Sequence, residues 1–194
     1  MRKRSALFTI NLCFLFLANA QLKWGANAGV NISSITKLKG AFNPEPLVTF
    51  QFSGFTMIPL GKSFVLKPSL GYRGKGYRFD YRLYADSPSV RVKWRYDYLQ
   101  LSAPIVLRCN NNDNYKLYAG GGLYAAYLIN VKRDGSGVPL DYFRRFDLGI
   151  NFSIALTIGE RWIIDVASDL GSSADKYSSS QNISSGITLG YFIN

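Results

Sequence analysis

From Phe146 to Ile158 the chain alternates without a break. Phe146, Leu148, Ile150, Phe152, Ile154, Leu156 and Ile158 are large and apolar, while Asp147, Gly149, Asn151, Ser153, Ala155 and Thr157 between them are small or polar. A period of two held this long is a strand with one greasy and one wet face; a helix cannot present it. The pattern recurs at Trp24, Ala26, Ala28, Val30 and Ile32, at Phe64, Leu66, Pro68, Leu70 and Tyr72, at Trp162, Ile164 and Val166, and at Ile183, Ile187, Leu189, Tyr191 and Ile193. Further stretches at about 47–60, 94–108 and 115–130 bring the expectation to eight strands.

Eight such strands can close as a soluble lipocalin-like barrel or as a membrane barrel, and the small face decides between them. A soluble barrel turns its large side chains inward and shows Lys, Glu and Thr to water. Here the partner face is Gly, Ala, Ser and Asn with a few charges, which fits a narrow, filled interior. The large residues then point outward, where only lipid accommodates them. The opposite facing would place Arg145, Asp147, Asp165 and Asp169 in hydrocarbon, at about 2–4 kcal/mol for a midplane Arg and somewhat less for an acid. Short connections near 60–63, 110–114 and 159–161 alternate with longer ones near 35–46, 83–93, 131–141 and 172–180. The expected fold is therefore all-β: an eight-stranded antiparallel up-and-down transmembrane β-barrel with short periplasmic turns, longer external loops and both termini in the periplasm. Tyr72, Tyr77, Trp94, Tyr96, Tyr98, Tyr115, Tyr142 and Trp162, near strand ends, are expected to form two interfacial girdles.

The first twenty residues stand apart from this pattern. Arg2, Lys3 and Arg4, an apolar run from Ala6 to Leu17, and Ala18-Asn19-Ala20 are the three parts of a secretory signal peptide, cleaved after Ala20. The run is too short for a helical span, which needs about 20 residues, and Cys13 lies inside it, which argues against a lipoprotein site. Residues 21–194 form the barrel domain. Removal of the signal lowers the net charge from +11 to +8 and leaves Cys109 as the one cysteine, read as a small hydrophobe at a strand end.

The chain contains no histidine. Ser-His-Asp and Cys-His nucleophile systems, His-ligated zinc and a histidine general base are thereby excluded, and no cofactor or metal is expected. Gly61-Lys62-Ser63 resembles the end of a phosphate-binding loop, but Thr56 stands where its first glycine belongs. Gly120-Gly121-Gly122 lies within an alternating stretch and reads as relief of crowding where a small barrel bends. Lys67, Arg73, Arg108, Arg145, Asp147, Asp165 and Asp169 share the wet face; they are expected to form an ion-paired interior network, a proton or ion path being the alternative. Basic residues crowd the tyrosine-rich stretch from Tyr72 to Tyr98. Arg78, Arg82, Arg91, Lys93 and Arg95 there are candidate contacts to the phosphates of outer-leaflet lipopolysaccharide, with a merely solvated loop as the alternative. Such a mixture can also bind single-stranded nucleic acid, but an external position argues against it.

Several motifs carry a family resemblance. Gln21-Leu22-Lys23-Trp24-Gly25-Ala26-Asn27-Ala28-Gly29-Val30-Asn31 after the signal resembles the first strand of PorT-like outer-membrane β-barrel proteins of Bacteroidota. Phe64 to Gly76, Tyr98-Leu99-Gln100-Leu101-Ser102-Ala103-Pro104-Ile105, Phe146-Asp147-Leu148-Gly149 and the ending Gly186-Ile187-Thr188-Leu189-Gly190-Tyr191-Phe192 are similar to that family in order. The chain departs from it at Ser69 and Gln100, where an acid is common, and in ending Phe192-Ile193-Asn194. The resemblance implies an integral outer-membrane location. The best-known relative takes part in type IX protein secretion. The expected role is non-enzymatic, structural or envelope-interacting, with a secretion accessory as the alternative and a lipid-modifying enzyme further off. Expected partners are outer-membrane lipid and lipopolysaccharide, the barrel-assembly machinery, and envelope or secretion proteins.

Overall fold

The computed structural model describes residues 22–36, 44–81, 88–110, 112, 114–172 and 181–193; the signal peptide lies outside them. Ten strands are present among these residues: β1 (Lys23–Ile35), β2 (Glu45–Pro59), β3 (Phe64–Leu66), β4 (Ser69–Tyr81), β5 (Val90–Arg108), β6 (Tyr115–Arg133), β7 (Ser136–Gly137), β8 (Phe146–Ile158), β9 (Trp162–Ser172) and β10 (Gln181–Phe192). They close on themselves in the order β1-β2-β4-β5-β6-β8-β9-β10, with β10 pairing back onto β1, and every pairing is antiparallel. β3 and β4 are one stave interrupted at Lys67 and Pro68, where proline lacks the N–H a ladder needs. The wall stays sewn there: Thr56 N–H donates to the Pro68 carbonyl and Lys67 N–H to the Pro104 carbonyl, both at 2.9 Å. β7 is a small flap on the upper end of β6. The ring thus has the eight staves expected, and closure satisfies backbone groups that lipid could not.

The faces follow the parity. β10 alternates exposed and buried at every residue, and Leu123, Phe50 and Phe146 are 72%, 68% and 65% exposed on the outside. An apolar exterior of this extent is stable only against hydrocarbon. The short connections that follow β2, β5 and β8 share one end of the barrel with the first and last described residues. That is the periplasmic end in barrels of this kind.

Two boundaries differ from expectation. β5 begins at Val90 and β6 continues to Arg133, so residues 90–93 and 131–133 of the expected external loops are strand. The cause is mutual pairing: β4 and β5 remain in register up to Tyr81 with Val90, and β5 and β6 stay paired up to Trp94 with Arg133, past a register shift of one residue between Asp97 and Tyr98. The β4–β5–β6 sheet therefore rises above the staves on the other side of the ring.

The interior is filled in three layers. At the periplasmic end Phe55, Met57, Val65, Val106, Tyr118, Ile163 and Phe192 pack together. Charged and amide side chains occupy the middle. At the external end Tyr77, Tyr96, Tyr98, Tyr124, Leu128 and Val131 form a second apolar cluster, completed by Phe143 from the β7–β8 connection. Tyr77, Trp94, Tyr96 and Tyr98 therefore do not belong to a girdle: they point into the mouth of the barrel, where Tyr96 and Trp94 each meet Phe143 edge-on at 5.8 and 5.9 Å. Of the expected girdle residues, Tyr72, Tyr115 and Trp162 do face outward. Gly120 and Gly122 serve the tight curvature: a Cβ on either would collide with the facing carbonyl of Ile105 or Ala103.

Candidate functional site

The middle layer holds three cations and three acids, matched one to one. Lys67, just before the break at Pro68, donates to Asp165 at 2.6 Å and to the Ser153 hydroxyl at 2.9 Å. Arg73 ion-pairs with Asp169 through Nη1, and its Nε donates to Gln51 at 2.8 Å. Asp169 also accepts from Asn151 at 2.6 Å and from Gln100 at 2.9 Å. Lys75 donates to Asp147 at 3.0 Å and to the Tyr124 hydroxyl at 3.2 Å, with its ammonium 4.4 Å from the centre of the Tyr124 ring. Lys75 and Asp147 are each only 1% exposed, so each depends on the other, and not on water, for compensation. A polar cavity of about 50 Å³ beside Lys67, Arg73, Gln51 and Gln100 has room for a few water molecules.

Lys67, Arg73, Asp147, Asp165 and Asp169 of the expected set are thus brought together. Arg108 and Arg145 are not. Arg108 ends β5 at the short-turn rim and stacks over Tyr118 at 5.9 Å, in no ion pair among the described residues. Arg145 precedes the first paired residue of β8, above the rim, and lies 3.8 Å from Asp141 in the external connection. Lys75 was missed, although it stands two residues beyond Arg73 on the same parity; continuing the alternation would have found it.

The basic stretch occupies the outer face of the protruding sheet. Cross-strand rows order it: Tyr72 beside Leu99, Leu99 beside Tyr127 and Tyr127 beside Phe146 make an apolar and aromatic row. Above it come Asp97 with Asn130, then Arg95 with Lys132, then Arg78 with Lys93, then Asp80 with Arg91. Most of these arginines already have acidic partners. Arg78 pairs with Glu45 at 2.8 Å. Arg91 donates to both Asp80 oxygens at 2.8 and 3.0 Å, which holds that carboxyl below its usual range. Arg95 donates to Asp97 at 2.8 Å and to the Tyr72 hydroxyl at 2.6 Å. Lys93 and Lys132 form no ion pair among the described residues. Arg82 lies outside them.

A filled, ring-closed lumen with an apolar exterior is the architecture of small outer-membrane barrels. Residues 18–172 match the family described as Outer membrane protein beta-barrel domain. The chain belongs to this family. This outer-membrane barrel is similar in fold to Neisserial surface protein A, at TM-score 0.52 and 11% identity over 87% of this chain and 96% of that one. Ail of Yersinia pestis, in complex with the heparin analogue sucrose octasulfate, matches at TM-score 0.47 and 14% identity, covering 89% of this chain and 99% of that one. OprG of Pseudomonas aeruginosa matches at TM-score 0.46 and 12% identity, covering 89% and 94%. No curated protein matches the sequence. The family and the exterior together make this an integral outer-membrane protein.

Proposed function

We propose that this outer-membrane barrel is a sealed, non-enzymatic scaffold that acts through its outer surface. The observation that carries the reading is the stacked interior: among the described residues an apolar cluster lies on each side of a charge-matched layer. Buried ions fixed by several hydrogen bonds each are poor carriers of current and favour the plug over the ion path.

The second element of the role is the external basic face, which engages lipopolysaccharide phosphate above an aromatic row, as juxtamembrane cations do at anionic headgroups. A PorT-like contribution to secretion is supported by the sequence motifs alone. Proteoliposomes loaded with an ion-sensitive dye test the scaffold reading. Passive ion flux no greater than that of empty vesicles is expected, and sustained flux through the purified protein overturns it. Affinity capture from native outer membranes separates the two roles: recovery of secretion-apparatus proteins supports the accessory role, and recovery of lipopolysaccharide without them supports the anchored scaffold.

A further inference from the structure

The face formed by β5, β6 and β8 carries an unusual vertical sequence of chemistry. Between the girdles, the small residues Ala103 and Ala125 sit among Leu101, Leu123, Leu148 and Ile150 and leave an apolar cleft of about 590 Å³ in the outer wall. Directly above it along the same strands is the row of Leu99, Tyr127 and Phe146, and above that stand Arg95 and Lys132, with Lys93 next on β5. Arg95 is four residues beyond Leu99, about 14 Å along the strand and about 10 Å in height at the usual tilt, and Lys93 is six residues beyond Leu99, about 15 Å in height. Arg95 and Lys132 therefore lie just outside the hydrocarbon and Lys93 above them at the level of the headgroups, where a snorkelling lysine reaches a phosphate. Against Lys93, Arg95 and Lys132 this part of the face sets two carboxylates: Asp97, already shared among Arg95, Tyr72 and Asn130, and Asp134, which accepts from the Lys93 backbone N–H at 2.8 Å and forms no ion pair with the Lys93 ammonium among the described residues.

We propose that this face seats one molecule of lipid A, its phosphate held between Lys93 and Lys132 and one acyl chain lying in the Ala103–Ala125 cleft. The inference rests on the lipopolysaccharide reading of the basic face and narrows it to one site. Charge complementarity selects the occupant: a doubly charged phosphate monoester matches two ammonium groups that form no ion pair among the described residues, and the cleft lies below them in the same wall, across the row of Leu99, Tyr127 and Phe146. The arginines that dominate the sequence pattern are secondary, because Arg78 and Arg91 are neutralised by Glu45 and Asp80.

Native mass spectrometry of the folded protein with defined lipids tests the seat. The probes are bisphosphorylated lipid A, its dephosphorylated form and phosphatidylglycerol; the variants are Lys93→Ala/Lys132→Ala, Ala125→Phe, the milder Ala103→Leu, and Arg91→Ala. Electrophoretic heat-modifiability checks that each is folded. Bisphosphorylated lipid A should be retained best. The double lysine variant should lose retention about 30-fold, five- to sixfold per cation; both cleft-filling variants should weaken it, and Arg91→Ala should leave it unchanged. Equal retention of dephosphorylated lipid A or phosphatidylglycerol, or no loss in the double lysine variant, overturns the proposal. Loss in the lysine variant with none in either cleft variant also overturns the seat, while leaving the broader basic-face reading standing.

Discussion

Replacing Lys75 with methionine removes one charge from the driest part of the lumen while keeping most of the side chain's volume. In the native barrel its ammonium lies 3.0 Å from Asp147, an attraction of about 5.5 kcal/mol at an effective dielectric constant of about 20. That attraction is largely cancelled by the several kcal/mol each ion loses on leaving water. The pair as a whole is therefore near neutral for stability, but breaking it is not. Lys75→Met leaves Asp147 buried without its cation, with the Tyr124 hydroxyl at 3.1 Å, Ser172 at 3.3 Å and the Asn182 amide at 3.4 Å as its remaining donors. The expected cost is about 3–5 kcal/mol. Lys75→Met/Asp147→Asn removes both charges and keeps an acceptor for Tyr124, so it should return to within about 1 kcal/mol of the wild type. Urea unfolding in phospholipid vesicles, followed by the electrophoretic shift between folded and unfolded forms, measures all of these. A single variant costing under about 1 kcal/mol, or a double variant no better than the single, would refute the reasoning.

Three further outcomes follow from position in the wall. Gly120→Val, whose new side chain meets the Ile105 carbonyl, should sharply lower the folded fraction on refolding, whereas Gly137→Ala, with nothing within 4 Å, should not. Phe152→Arg, half-exposed in mid-strand toward lipid, should cost at least about 2 kcal/mol in the same unfolding assay. Cys109, exposed at the short-turn end, should react with a membrane-impermeant maleimide only once the periplasm is opened. Gly137→Cys on the opposite end should react in intact cells, and labelling of wild-type intact cells would reverse the assigned orientation.

Strand identity and facing were legible because a two-sided wall leaves a period of two wherever one side is lipid. Phe146 to Ile158 shows the limit case, with every large residue out and Asp147, Asn151 and Ser153 in. The aromatic girdles were harder to read: strand-end position does not reveal which side of the wall a ring occupies. Tyr96 and Tyr98 look like girdle residues by location but share the parity of Gln100 and Ser102, which are interior. Following parity past the membrane would have assigned them, as it would have assigned Lys75. The basic face was legible as composition but not as available charge. Whether an arginine is free depends on cross-strand neighbours such as Asp80 for Arg91 and Glu45 for Arg78, and register supplies those. Lys132 was hidden for a related reason, since it fell in a segment read as loop that pairing with β5 turns into strand.

The central claim, a barrel closed by side chains from end to end, is met most directly by planar-bilayer recording of the purified protein. The three-layer interior predicts a baseline indistinguishable from the protein-free bilayer at moderate voltage and salt. Reproducible single-channel steps of uniform size would contradict it.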